Sequence, residues 1–215
     1  MQQLEVRELV RYYAREKGRR FINLLISFCF LILSVPLLAF LAILVALDSP
    51  GPVIFKQKRL GKDGKVFTLY KFRSMFHRCD QSIHKQLVAQ AITQSDKHVI
   101  YCLDNDPRIT RVGRWLRKLS LDELPQFVNV LKGDINIVGP RPLLTYEAEY
   151  FKDWHWQRQM VKPGITGLYQ VRARGAVPFD EMVRMDLEYI KNHSLWLDLK
   201  LMLETVSAII RKTGG

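Results

Sequence analysis

The distribution of apolar and charged side chains divides the chain into three stretches. Phe21 to Leu47 is an uncharged run of 27 residues, and about 20 apolar residues suffice for a helix to cross a bilayer. The pattern predicts a membrane segment over 21–47, a basic helix over 1–20 before it and one globular domain over 48–215 after it. The segment is expected to be retained, because 20 residues precede it and Val45-Ala46-Leu47 makes a weak signal-cleavage site. Basic residues flank both ends: Arg7, Arg11, Arg15, Lys17, Arg19 and Arg20 before, Lys56, Lys58, Arg59 and Lys62 after. Neither flank has the composition of a translocated end. Ser34 and Pro36 lie near the middle, where a proline removes a helical hydrogen bond and a serine hydroxyl can take up a freed carbonyl. These features predict a re-entrant hairpin with both ends on the cytoplasmic face; a proline-kinked span accommodates the same residues.

Beyond the apolar run, Asp48-Ser49-Pro50-Gly51-Pro52 is dense in turn formers and marks a domain boundary. Val53-Ile54-Phe55 and Val66 to Tyr70 flank Gly61-Lys62-Asp63-Gly64, which predicts a β-hairpin with a turn that tolerates positive φ. Phe76 to Asn105 is polar, and its histidines, His77, His84 and His98, lack metal-ligand spacing and read as surface residues. Val161 to Gly175 holds Pro163, Gly164, Gly167 and Gly175 and is expected to be loop. Phe179 to Lys212 predicts two helices broken near Asn192-His193-Ser194. In the second, Leu195, Leu199, Met202, Val206 and Ile209 recur at helical spacing, a stripe expected to face the core, while Trp154, Trp156 and Trp196 hint at a membrane interface. The fold expected is α+β: a re-entrant membrane helix hairpin plus one small, mainly helical globular domain with a β-hairpin and interfacial helices.

Charge narrows the partners. Thirty-three Lys and Arg against 21 Asp and Glu leave a formal charge of +12, which favours nucleic acid, acidic membrane lipid or a phosphate-bearing substrate. Cys29, Cys79 and Cys102 form no Cys-x-x-Cys pair, so neither a disulfide framework nor a zinc site is expected.

Candidate chemistry centres on Ser120-Leu121-Asp122-Glu123-Leu124-Pro125, which opens an apolar segment ended by Gly133. Ser120 and Glu123 match a capping box, and two acids at a helix start commonly do no more than complement its dipole. The same helix end would hold Asp122 ionised and attract phosphate, as a carboxylate nucleophile at phosphorus requires. Upstream, Arg108, Arg111, Arg114 and Arg117 recur every third residue. Such a row is usually a solvated face, yet Arg117 is near enough to Asp122 to hold a phosphate in bidentate fashion. Arg141, between Pro140 and Pro142, adds an arginine on a stiff backbone.

These residues fall in an ordered series. It includes Gly51 to Phe55 with Gln57, Arg59 and Gly61; Lys71-Phe72-Arg73-Ser74-Met75; Asp106 to Thr110 with Gly113, Leu116 and Arg117; and Leu119 to Gln126. Asn129 to Asp134, Val138 to Pro142 and Lys162 to Gly167 complete it. The series resembles the bacterial sugar transferases that are monotopic polyprenyl-phosphate phosphoglycosyl transferases, over roughly residues 19 to 212. The resemblance implies transfer of a sugar 1-phosphate from a nucleotide sugar, expected to be a UDP-sugar, to polyprenyl phosphate at the cytoplasmic face of the bacterial inner membrane, with release of nucleoside monophosphate. That is the first membrane step of exopolysaccharide or O-antigen assembly, with undecaprenyl phosphate as the expected carrier. By the same resemblance Asp122 is the nucleophile and Glu123 assists it. Both hold Mg²⁺; Arg117, Arg141, Lys71 and Arg59 take substrate phosphate; and Ser34 and Pro36 break the membrane helix. Three departures stand out: Val35 separates Ser34 from Pro36, Asn23 replaces a usual aspartate, and residues 77–103 match less well.

Two other classes compete. A membrane glycosyltransferase would transfer the sugar alone and release nucleoside diphosphate. A basic scaffold on acidic lipid or nucleic acid would use the charge without chemistry, but the cations gather around Asp-Glu and turn motifs, with no aromatic-basic recognition pattern. Nucleic acid is therefore not expected as a partner, and a homo-oligomer is compatible with every reading.

Overall fold

A computed structural model describes residues 5–77, 82–93, 106–173 and 177–213. Helix α1, Val6–Leu33, passes without a break from the basic stretch into the apolar one. It ends at Ser34, whose hydroxyl donates to the Leu31 carbonyl at 3.3 Å, and the chain turns by 64° into α2, Val35–Asp48. Pro36 therefore occupies the first turn of α2, where its missing N–H costs no hydrogen bond. Among the described residues no single helix is long and apolar enough to cross a membrane, but this bent pair meets the length and composition together.

Strands β1, Ile54–Leu60, and β2, Val66–Phe72, pair antiparallel from Ile54↔Phe72 to Leu60↔Val66. Asp63 and Gly64 take the positive φ values in the turn, as its composition predicts. The polar stretch holds a helix, α3, Ser82–Thr93; His77 is exposed, while His98, Cys79, Cys102 and the side chain of His84 lie outside the described residues. Helices α4, Arg111–Lys118, and α5, Gln126–Lys132, bracket the Asp-Glu pair. Gly133 ends α5 at φ 88°, the left-handed cap that glycine takes most readily.

Within Val161 to Gly175, the described residues 161–173 are more ordered than the glycines and proline suggested. Strand β4, Gly164–Thr166, pairs in parallel with β3, Asn136–Val138, and α6, Leu168–Arg172, follows. Strands of three residues are too short to show an alternating pattern, and here the glycine serves close packing. A Cβ on Gly164 would lie 2.2 Å from the Gly139 nitrogen.

Helices α7, Phe179–Asn192, and α8, Leu195–Thr213, confirm the break near Asn192-His193-Ser194. The stripe on α8, however, faces the core only in part, through Met202. Leu195, Leu199 and Val206 are exposed with Leu203 and Trp196, the last 75 % exposed, whereas Leu201 is buried and Leu197 and Met202 pack against the core. Helical spacing identifies an apolar face but not what covers it.

The main core gathers Tyr12 of α1, Val130 of α5, Ile137 and Val138 of β3, and Phe179, Val183 and Leu187 of α7. Polar contacts secure α1 to it. Buried Arg19 donates to Asp198 at 2.9 Å, to the Tyr189 hydroxyl at 2.6 Å and to the Val138 carbonyl, and Arg20 caps the carbonyls of Val130 and Leu131 at the end of α5. A second cluster joins Leu41 and Val45 of α2 to Phe72 and Leu116, with Leu121 and Leu124 packed against it.

Candidate active site

The second cluster determines where the acidic pair sits. Leu121 and Leu124 are drawn toward α2, so the turn between them presents Asp122 and Glu123 beside the end of β2. This turn is a 3₁₀ segment, Leu121–Glu123, entered through Ser120 in the left-handed region at φ 57°. The capping box expected from Ser120 and Glu123 does not form: the Ser120 side chain does not cap the turn, and Glu123 instead bonds Lys71 through Oε1 at 2.7 Å from Nζ. Asp122 precedes α5 by four residues, outside the first turn over which a helix dipole acts. Asp122 is only 7 % exposed. Burial pushes its carboxyl above the usual range, with Glu123 adding repulsion, and Lys71 and Arg117 act in the opposite direction.

Residues 71 to 74 build the wall facing this pair. Lys71 reaches Glu123, and Phe72 enters the second cluster. Arg73 donates to the carbonyls of Val45 at 2.9 Å, Ser49 and Pro52, closing the C-terminal end of α2. Ser74 accepts from Arg117 Nε at 2.9 Å. α4 approaches so closely that a Cβ on Gly113 would lie 2.1 Å from the Ser74 carbonyl oxygen.

The arginine row separates into different environments. Arg108 precedes α4 and is paired with Asp106, Nη2 to Oδ2 at 2.7 Å. Arg111 and Arg114 lie on the exposed side of α4, and Arg117 turns to Ser74 and exerts its field on Asp122. Arg59 is buried, its guanidinium directed to the Pro142 carbonyl at 2.9 Å and to Gln57 Oε1 at 2.6 Å. Burial, and then the charge of Arg141, lower its pKa to about 10. Arg141 itself is exposed, while its carbonyl accepts from Arg158 Nη2 at 2.7 Å. Arg158 in turn pairs with Asp186, and both are 1 % exposed. Thus Lys71, Asp122, Glu123 and Arg117 converge, and Arg59 meets the backbone of the loop that carries Arg141.

Ser74, Arg73, Arg158 and Asp186 escaped the sequence reading as individuals. Ser74 and Arg73 stand in a recognised motif, but nothing in their spacing states a partner. Arg158 and Asp186 look like any solvated charges, because their burial is created by elements distant in the chain.

The profile of the bacterial sugar transferases matches residues 14–212. The chain belongs to the bacterial sugar transferase family. Among relatives, the undecaprenyl-phosphate galactose phosphotransferase of Salmonella typhimurium is 41 % identical over 197 residues, covering 92 % of this chain and 41 % of its own length. The UDP-glucose:undecaprenyl-phosphate glucose-1-phosphate transferase of Escherichia coli is 41 % identical over 192 residues, 86 % of this chain and 38 % of the relative. The sugar transferase EpsL of Bacillus subtilis is 39 % identical over 178 residues, 83 % and 80 % of the two chains. The chain thus spans about two fifths of the length of these first two relatives.

Among the described residues, no group of three or more His, Cys, Asp and Glu could hold a metal ion alone. Asp122 and Glu123 nevertheless offer two adjacent carboxylates. That donor set fits Mg²⁺, which commonly takes one or two carboxylates and completes its shell with water and substrate phosphates.

Proposed function

We propose that the protein moves a sugar 1-phosphate from a UDP-sugar to undecaprenyl phosphate and releases UMP, through a phosphosugar carried on Asp122, in the first membrane step of a bacterial glycan pathway. The observation that carries this reading is the Asp122–Glu123 turn. Its first carboxylate is buried within the field of Lys71 and Arg117, and its flanking leucines pack on the apolar segment. Chemistry at a water-soluble nucleotide and a membrane-held phosphate requires such a junction. The undecaprenyl phosphate and UDP-glucose in the relatives' names support the same donor and acceptor classes.

One Asp122 oxygen attacks the phosphorus that bears the sugar, and the bond from that phosphorus to UMP breaks, the leaving phosphate keeping the electron pair. An oxygen of undecaprenyl phosphate then attacks the same phosphorus, and the bond to Asp122 breaks, restoring the carboxylate. The acceptor is already anionic, so no proton need be removed from it. Lys71 orients Glu123 beside the nucleophile, and Arg117 holds substrate phosphate and favours ionised Asp122. Mg²⁺ held by Asp122, Glu123 and the diphosphate would screen the repulsion between nucleophile and substrate and stabilise the departing phosphate.

The test is a panel of nucleotide sugars with undecaprenyl phosphate and Mg²⁺, reading the nucleotide released. UMP is expected; UDP would assign the protein to the glycosyltransferases that move sugar alone. In the same assay Arg117→Ala should lose about 10- to 150-fold in rate, the equivalent of one charge-assisted hydrogen bond of about 1.5 to 3 kcal/mol in the transition state. Arg111→Ala, on the exposed face, should stay near wild type; equal small losses would return both to a solvated surface.

The bend of 64° at Ser34, with basic residues on both flanks, supports a re-entrant hairpin at the cytoplasmic face of the inner membrane. Cysteine probes placed before Arg19 and after Gly51 should both be shielded from impermeant reagents in intact cells. Labelling of the N-terminal probe from outside would establish a kinked span.

A further inference from the structure

We infer that Ser74 is a positioning residue for the reaction: its hydroxyl holds the Arg117 guanidinium by the Nε edge, so that the two terminal nitrogens are presented to substrate phosphate. The inference rests on the proposed role of Arg117. Arg117 is on the last turn of α4 and is exposed, and a long side chain there ordinarily samples many rotamers, freedom that a phosphate would have to remove on binding. Its Nε–H instead donates to Ser74 Oγ at 2.9 Å. Ser74 is only 8 % exposed, so water competes poorly for that hydroxyl.

Ser74 is itself fixed before it fixes anything else. Its carbonyl accepts from Thr110 N at 3.2 Å, and the neighbouring Phe76 N donates to the Arg108 carbonyl at 2.8 Å. Gly113 rests on the same carbonyl, where a side chain could not fit, and Thr110 Oγ1 caps α4 by accepting from Gly113 N. The start of α4 is therefore locked against the segment leaving β2, and the hydroxyl of Ser74 aims the other end of the same helix. An arginine held by Nε keeps the end-on pair of donors that matches two phosphate oxygens. Adjacent residues of this segment act on different parts of the protein: Lys71 on Glu123, Arg73 on α2 and Ser74 on Arg117.

The experiment is a double-mutant cycle on the full chain in nanodiscs, with the single-turnover rate of nucleotide release from the UDP-sugar as readout. Ser74→Ala should slow release by about 2- to 12-fold, the value of one net hydrogen bond, with an unchanged melting temperature. Ser74→Thr, which keeps the hydroxyl, should recover most of the rate. In an Arg117→Ala background, Ser74→Ala should cost nothing further. Independent, multiplying losses, or a Ser74→Ala rate equal to wild type, would overturn the inference. Should Ser74→Ala unfold, the cycle is run with Ser74→Cys, whose thiol is only a weak acceptor, and the same non-additivity with Arg117→Ala decides. The identity of the nucleotide released by the wild type reports separately on the proposed function, because the coupling is read on total nucleotide, whichever it is.

Discussion

Asp122→Asn should abolish the covalent phosphosugar that nucleotide sugar and Mg²⁺ alone leave on the wild-type protein, and with it the release of UMP before any lipid is added. The amide preserves the size of the side chain but is a poor nucleophile. Intact-protein mass spectrometry of the two forms reads the adduct directly, and an undiminished adduct on folded Asp122→Asn would sink the covalent mechanism. The site also predicts what happens to the fold. Burial and Glu123 raise the Asp122 pKa above its unfolded value. Its contribution to stability is therefore complete below the unfolded value of about 3.9 and declines as the pH rises through the folded one. Burial opposes the charged form of Asp122, which the amide does not have. Asp122→Asn should therefore melt at or above the wild-type temperature at pH 7, and a marked drop would mean that the carboxylate has a structural role. Glu123→Gln should impair turnover because it removes the carboxylate charge that pairs with Lys71 at 2.7 Å.

Arg158→Met should be the most destabilising of the substitutions considered, at about 3 to 5 kcal/mol, because it strands a buried carboxylate. Arg158 and Asp186 are each 1 % exposed, with Nε to Oδ2 at 2.8 Å, and the arginine also supplies a donor to the Arg141 carbonyl. Asp186 already has its pKa raised by burial, with Arg158 the main group opposing the rise. Without that partner Asp186 must either carry an unpaired charge in the interior or take up a proton. At about 2 to 4 °C per kcal/mol for a chain of this size, the melting temperature should fall by roughly 6 to 20 °C. The double variant Arg158→Met/Asp186→Leu should recover much of the loss, since a well-packed apolar pair often replaces a buried ion pair at little cost. Equal destabilisation in the single and double variants would show that the loss lies in packing or in the Arg141 carbonyl contact.

The difference between these residues also marks how far the sequence is legible. Asp122 and Glu123 stand out because they lie in an ordered series of motifs, whereas Arg158 and Asp186, 28 residues apart, have no local pattern that distinguishes a buried charge from a solvated one. Expectations derived from neighbouring residues alone divided in the same way. The hairpin of β1 and β2 follows from short-range alternation and a turn that tolerates positive φ, and the separation of α7 from α8 from a local interruption of helical spacing. The capping box at Ser120 failed even though its residues are adjacent. Leu121 and Leu124 are recruited by Leu41 and Val45 of α2, and that packing replaces a regular helix start with a 3₁₀ turn.

By itself, the sequence determined the uncharged run with Ser34 and Pro36 at its middle, the hairpin, the family and the presence of an acidic pair, since each is carried by local periodicity, turn chemistry or motif order. The tertiary structure decided what surrounds that pair. Lys71 meets Glu123 across 52 residues and Ser74 meets Arg117 across 43, while β4 finds β3 through glycines that had suggested loop. It also turned Leu195, Leu199 and Val206 of the α8 stripe outward. A helical or strand period reports which side chains share a face. Which element covers that face, and whether a charge on it becomes buried, is set by contacts between segments far apart in the chain, and these arise only when the segments pack.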